Sequence, residues 1–147
     1  MTSERDLPAR HRPTARPGFH SVTPRLVVED ADALVEFLRA VFGAAGEVHG
    51  DRPAEMQIGD SVVMVTSAGA REPFPGFLYV YVHDADETYR LAIAAGAETV
   101  EAPLDTPYGD RRAMVKDRWG NVWQIAHLLR APEPRVVKKA RSRSSPG

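Results

Sequence analysis

The sequence predicts an α+β domain built of two βαβββ modules in tandem. Three observations carry this expectation: a short motif occurs twice in the same context, apolar residues alternate over short runs, and two longer stretches show helical spacing. Val28-Glu-Asp-Ala-Asp32 returns as Val82-His-Asp-Ala-Asp86, and each copy follows an alternating run, opens a helix-like stretch and ends at a Gly-Ala pair, Gly43-Ala44 and Gly96-Ala97. A unit repeated once implies a pseudo-symmetric body rather than a solenoid.

Residues 22–29 read as the first strand. Asp30 is placed to cap a helix whose Leu34, Phe37, Leu38, Val41 and Phe42 fall on one stripe, and Gly43 ends it. Two short strands follow, 54–59 and 61–67, divided at the turn-prone Gly59-Asp60 pair. The second module repeats the order. Strand 77–83 leads to Asp84 and Glu87, spaced as in a capping box, and to a helix with Tyr89, Ala92 and Ile93 inward and Gly96 at its end. Strands 111–116 and 121–128 complete the module through Asp117-Arg-Trp-Gly120, and each module has room for one more short strand, near 46–50 and 98–101.

The 147 residues, 43% hydrophobic and 27% charged, suit one globular domain with a sizeable core. With no cysteine, disulfide frameworks, zinc–thiolate sites and cysteine nucleophiles are excluded. No apolar run approaches the roughly 20 residues of a membrane span and the N-terminus has no signal-peptide core, so the expected location is cytoplasmic.

Charge is unevenly placed. Residues 1–20 and 131–147 are basic and proline-containing, while 21–130 carries 10 basic and 17 acidic residues. Segments so poor in branched and aromatic residues cannot offset their ordering entropy, so both ends are expected to be disordered tails around a domain of two modules, about 21–70 and 76–130. The C-terminal Lys138, Lys139, Arg141 and Arg143 lack interleaved aromatics and a folded reader, so a solvated tail is expected in preference to a nucleic-acid contact.

Phe42-Gly43-Ala44, Ile58-Gly59-Asp60-Ser61, Ala95-Gly96-Ala97, Tyr108-Gly109-Asp110-Arg111 and Asp117-Arg-Trp-Gly-Asn-Val-Trp-Gln-Ile125, in this order, resemble the vicinal oxygen chelate superfamily of glyoxalases, bleomycin-resistance proteins and extradiol dioxygenases. The resemblance covers about 22–129. It implies a cup-shaped mixed sheet with helices on its outer face, cups usually completed by pairing modules across two chains, and hence a homodimer. It also implies a metal site of four side chains, whose positions here fall at Thr23, Met64, Phe77 and Gln124. Of these only Gln124 offers a good ligand, so neither a metal nor another cofactor is expected. A register slip of one residue would instead bring Glu55 or His20 near.

Alternation fixes the rest. With those positions facing the cup, Arg25, Glu55, Gln57, Thr66, Tyr79, Tyr81, Arg112, Met114 and Lys116 join them, and Leu26, Val28, Met56, Ile58, Val63, Val65, Leu78, Val80, Val82, Ala113, Val115 and Ile125 face the helices. A slip would expose that whole apolar set. The cup is then lined by aromatics and a few polar groups, as a small-molecule pocket is, or is filled by Met64 and Phe77 acting as plugs.

Among the polar candidates, Arg25 is either paired with Glu55 or free to hold a carboxylate or phosphate. Glu55 is either half of that ion pair or a general base in an apolar cup. His20, His49, His83 and His127 show no ligand spacing, and Tyr108-Gly-Asp-Arg111 is a lid over the cup or a loop stapled by Asp110. Two functions compete: a metal-free binder of a small organic molecule, of sequestering or resistance type, and a lyase or isomerase of a small oxygenated substrate using Glu55 or a tyrosine, with Arg25 stabilising an anionic intermediate.

Overall fold

The computed structural model describes residues 14–129, so the expected tail at 131–147 and residues 1–13 of the expected tail at 1–20 lie outside the described residues. The element order is β1 (Arg25–Val28), α1 (Ala31–Phe42), β2 (Ala54–Ile58), β3 (Ser61–Ser67), β4 (Phe77–Tyr81), α2 (Ala85–Ala94), β5 (Glu98–Asp105), β6 (Asp110–Lys116) and β7 (Val122–Leu128). Both helices start as the sequence predicts: the Asp30 carboxylate accepts the Ala33 N–H at 3.1 Å, and Asp84 accepts that of Glu87 at 3.1 Å. At the end of α1, Gly43 adopts φ 64° and its N–H returns to the Arg39 carbonyl, a left-handed stop that a side chain would disfavour.

Each module pairs its first strand parallel to its last. The ladders form two mixed sheets, β1-β3-β2 and β4-β7-β6-β5, rather than one continuous sheet. Arg25 lies opposite Met64, and Met64 opposite Glu55; in the second sheet Tyr79, Gln124 and Met114 stand in one row. The opposite faces of both sheets are apolar and packed under the helices. Leu26, Val28, Met56, Ile58, Val63, Val65, Val115 and Ile125 join Leu34, Phe37, Leu38 and Val41 of α1 in one core, against which Leu78, Val80 and Val82 pack partly buried. The core spans both modules, because Phe37 meets Trp119 edge-on at 6.0 Å and Phe42 meets Trp123 at 5.1 Å.

Three local expectations need correction. The first strand is shorter than 22–29, because Pro24 has no N–H to offer; its carbonyl still accepts from Met64, but Thr23 stands ahead of the ladder. The strand near 46–50 is reduced to a single bridge between Ala45 and Gln57. Gly46 there has φ 150°, its carbonyl is taken by the Arg39 guanidinium, and a Cβ on it would sit 2.4 Å from the Glu55 carbonyl oxygen. Its counterpart after α2 does form and runs on to Asp105, with two register shifts. On α2 the buried face is Ala85, Thr88 and Ala92, which leaves Ile93 exposed rather than inward.

The β6–β7 turn is held by a buried carboxylate. Asp117 accepts the Trp119 and Asn121 backbone N–H groups on one oxygen, and Asn121 Nδ2 and Trp123 Nε1 on the other, all at 2.9–3.0 Å. Asn121 in turn accepts the Gly76 N–H at 2.8 Å, which fixes the start of β4 beside β7. His127 has a structural task too, accepting the Ala85 N–H at the head of α2.

Candidate functional site

Strand β4 carries Phe77, Tyr79 and Tyr81 on the face turned away from the helices, and all three are exposed. Phe77 is 68% exposed, so it does not plug an interior in this chain. The two tyrosine rings stand side by side, 5.4 Å apart and tilted by 56°. Beneath them lies Asp110, only 2% exposed, the first residue of β6. Tyr79 and Tyr81 both donate to its Oδ2, at 2.6 and 2.7 Å.

The protons of this cluster have a direction. The Tyr79 hydroxyl has one proton, which it gives to Asp110, so in its 3.3 Å contact with Tyr108 it must accept. Tyr108 in turn accepts from Arg112 Nη1 at 3.0 Å, and the other end of that guanidinium is paired with Glu101. The donor chain therefore runs Arg112, Tyr108, Tyr79, Asp110. Withdrawal from water and then the bond to Asp110 hold the Tyr79 phenol well above the ordinary tyrosine range, and the bond to Asp110 raises that of Tyr81. Both phenols are donors, and neither is set up to act as a base.

The loop over this cluster is stapled through the same aspartate. The Asp110 N–H is bonded to the Thr106 hydroxyl and its carbonyl accepts the Thr106 N–H, while Gly109 takes φ 98°. Next to it, Arg111 bridges Asp86 at the head of α2 and Asp105 at the end of β5, which lowers the Asp86 carboxyl below its usual range.

The first sheet contributes a different set. Arg25 and Glu55 do not pair, although both flank Met64: Arg25 Nη2 rests 3.8 Å from the Met64 sulfur, and Glu55 binds Arg16 at 2.9 Å. Arg16 also covers the Phe19 ring, so residues of the expected N-terminal tail lie against β2. Gln57 turns back onto the Gly59 carbonyl, and the Thr66 hydroxyl is buried without a partner among the described residues. The structure thus gathers Tyr79 and Tyr81 on one carboxylate and links Arg112 to it through Tyr108, with Met114 and Gln124 in the row beside Tyr79. Arg25, Glu55, Gln57, Met64 and Thr66 form a separate face, with Thr23 before it.

The two faces approach each other along β4. Between its unpaired edge and the β2–β3 turn lies a cleft of about 560 Å³ lined by Val22, Pro24, Ile58, Val62, Leu78, Tyr79, Val80 and Tyr81, with Asp60 its one charged residue. A second cleft of about 440 Å³ runs from Arg25 past Phe74 to Phe77.

Glu101 escaped the sequence reading, while Tyr108 and Asp110 entered it only as parts of a lid or a stapled loop, and the Thr106 bonds of Asp110 form such a staple. Asp110 shares the parity of Arg112 and Met114, so starting β6 one residue earlier would have placed it on the cup face. Glu101 is brought in by the pairing of β5 with β6 and its register shifts, for which the pattern of residues holds no signal.

The metal site implied by the resemblance does not fit these residues. Its four positions offer one hydroxyl, one thioether, one phenyl ring and one amide, and no group of three His, Cys, Asp or Glu able to hold a metal ion occurs among the described residues.

No helix among the described residues is long and apolar enough to cross a membrane. Comparison with solved structures finds TioX from Micromonospora sp. ML1, 28% identical with a TM-score of 0.63 over 75% of this chain and 99% of that one. A glyoxalase/bleomycin resistance protein/dioxygenase family enzyme from Burkholderia phytofirmans PsJN is 23% identical, with a TM-score of 0.64 over 73% and 97% of the two chains, and shares the fold. An uncharacterized protein of Mycobacterium bovis is 28% identical over 86% of this chain and 95% of its own length. The model of the Glyoxalase/Bleomycin resistance protein/Dioxygenase superfamily matches residues 18–125, most of the chain, and with the paired modules and mixed sheets this shows that the protein belongs to that superfamily.

Proposed function

We propose that this protein is a metal-free binder of a small organic molecule, of sequestering or resistance type, whose ligand lies along β4. The observation that carries the reading is the exposed aromatic row Phe77, Tyr79 and Tyr81, in which Tyr79 and Tyr81 border an apolar cleft of about 560 Å³ and Phe77 borders the cleft of about 440 Å³. Large rings on the open face of a strand, backed by a few fixed polar groups, have the make-up of a ligand site. Exposed Val22, Phe74 and Phe77 form an apolar margin beside it, which a second copy of the chain would cover in a homodimer.

The chemistry available favours binding over catalysis. A lyase or isomerase needs a base facing its substrate, yet Glu55 is tied to the Arg16 guanidinium and the tyrosines hold their protons through Asp110. The test is a fluorescence and calorimetry screen of aromatic cations, carboxylates and phosphonates against the native protein and Tyr81→Leu. Saturable binding that weakens in the variant, at a melting temperature within a few degrees of native, is the expected result. Absence of binding by every class, or a Tyr81→Leu protein that loses its fold instead, overturns it.

A further inference from the structure

We propose that Tyr79, Tyr81 and Tyr108 above Asp110 form a seat for the positively charged head of an organic cation, an amine or quaternary ammonium group. This rests on the binder reading and assigns it a ligand class. The rings supply the first component. Tyr79 and Tyr81 are held 5.4 Å apart, tilted by 56° and both exposed, Tyr108 is 61% exposed and touches Tyr79 through its hydroxyl, and aromatic faces attract a cation brought within about 6 Å of their centres.

The second component is charge. Asp110 is bonded to phenols, not to a cation, and the one guanidinium that reaches the cluster, Arg112, is matched by Glu101. Arg111 next door is shared between Asp86 and Asp105. Four carboxylates therefore face two guanidiniums, and the unmatched buried charge lies at the hydroxyl ends of the rings. Both phenols donate their protons into the carboxylate, so no hydroxyl proton of Tyr79 or Tyr81 points at an incoming ligand.

The clefts flanking Tyr81 agree. The larger is charged only by Asp60, and the other, between α1, β4 and α2, carries Asp84 beside His83, with Glu87 there matched by Arg90. Arg25 lies at the far end of the β4 row, beyond Tyr79, and does not compete for this position. Long-range attraction from the acidic body, with 17 acidic against 10 basic residues in 21–130, acts in the same sense.

Choline and neohexanol, in which carbon replaces the quaternary nitrogen, separate charge from shape. Calorimetry on the full chain should find choline bound about tenfold tighter than neohexanol, and Asp110→Asn, which keeps an acceptor for the phenols, should remove most of that preference. Because a change at a buried residue can disturb folding, Tyr108→Leu at an exposed ring serves as a second variant. It should weaken choline about threefold at an unchanged melting temperature. Equal affinity for the two probes, or choline affinity unaltered by Tyr108→Leu, overturns the proposal. Benzyl alcohol and benzoate are measured alongside: their binding without choline defeats the cation seat but leaves the binder reading standing, whereas no binding by any probe defeats both.

Discussion

Replacing Asp117 by alanine should be among the most destabilising single changes in the molecule. The carboxylate is 3% exposed and accepts four donors, of which the Asn121 amide, the Asn121 N–H and the Trp123 indole are fully buried. A buried donor deprived of its partner costs about 1–3 kcal/mol, and the terms overlap in one network, so a loss of about 4–5 kcal/mol is expected. Against an ordinary total of about 5–15 kcal/mol this removes a large share of stability, and the melting temperature should fall by roughly 15 °C. Urea titration followed by tryptophan fluorescence reads it directly, because Trp119 and Trp123 both belong to the cluster. Asp117→Asn should share most of the loss, since its amide would have to meet Asn121 Nδ2 and Trp123 Nε1 donor to donor. Pairing Asp117→Ala with Trp123→Phe should cost less than the sum of the two, as one bond is then removed only once. A loss below about 1 kcal/mol in Asp117→Ala, or strict additivity with Trp123→Phe, would refute the reasoning.

Three further outcomes are expected. Elemental analysis of the purified protein should find no stoichiometric divalent metal, and about one equivalent that survives mild chelation and is lost in Gln124→Ala would contradict the metal-free reading. Sedimentation at micromolar concentration should give a homodimer, and a monomer mass independent of concentration would rule it out. In alkaline titration the phenolate absorbance of Tyr79 and Tyr81 should appear later than that of free tyrosine. Their raised folded values mean that the stabilisation is present below pH 10 and lost as pH rises beyond it, so Tyr79→Phe and Tyr81→Phe should each remove late-titrating absorbance while leaving the rest.

The parts of this structure that were legible in the sequence are those set by local periodicity. Alternation placed Leu26, Val28, Val63, Val65 and Ile125 under the helices and Tyr79, Tyr81 and Arg112 on the other face, because one buried face leaves no freedom of register. Caps at Asp30 and Asp84 were legible for a similar reason, their partners lying three residues away. Contacts set by lateral strand order were not. Arg25 and Glu55 are both neighbours of Met64, and pairing them looks natural in a pattern, yet the β strand between them holds them apart and Arg16, assigned to a tail, reaches Glu55 instead. The cluster around Asp110 depends on β4 meeting the β5–β6 pair, with Tyr79 and Tyr81 reaching Asp110 from one and Glu101 holding Arg112 in the other.

The aromatic contacts of α1 impose an order on the life of the chain. Every strand of the first sheet has been made once Ser67 has left the ribosome, but Phe37 and Phe42 wait for Trp119 and Trp123, near the other end of the domain. The first module can therefore close its hydrogen bonds early while part of its apolar helix stays wet through most of synthesis. The second module acts as its late lid, and premature termination before Trp119 leaves behind a helix without the rings that should cover it.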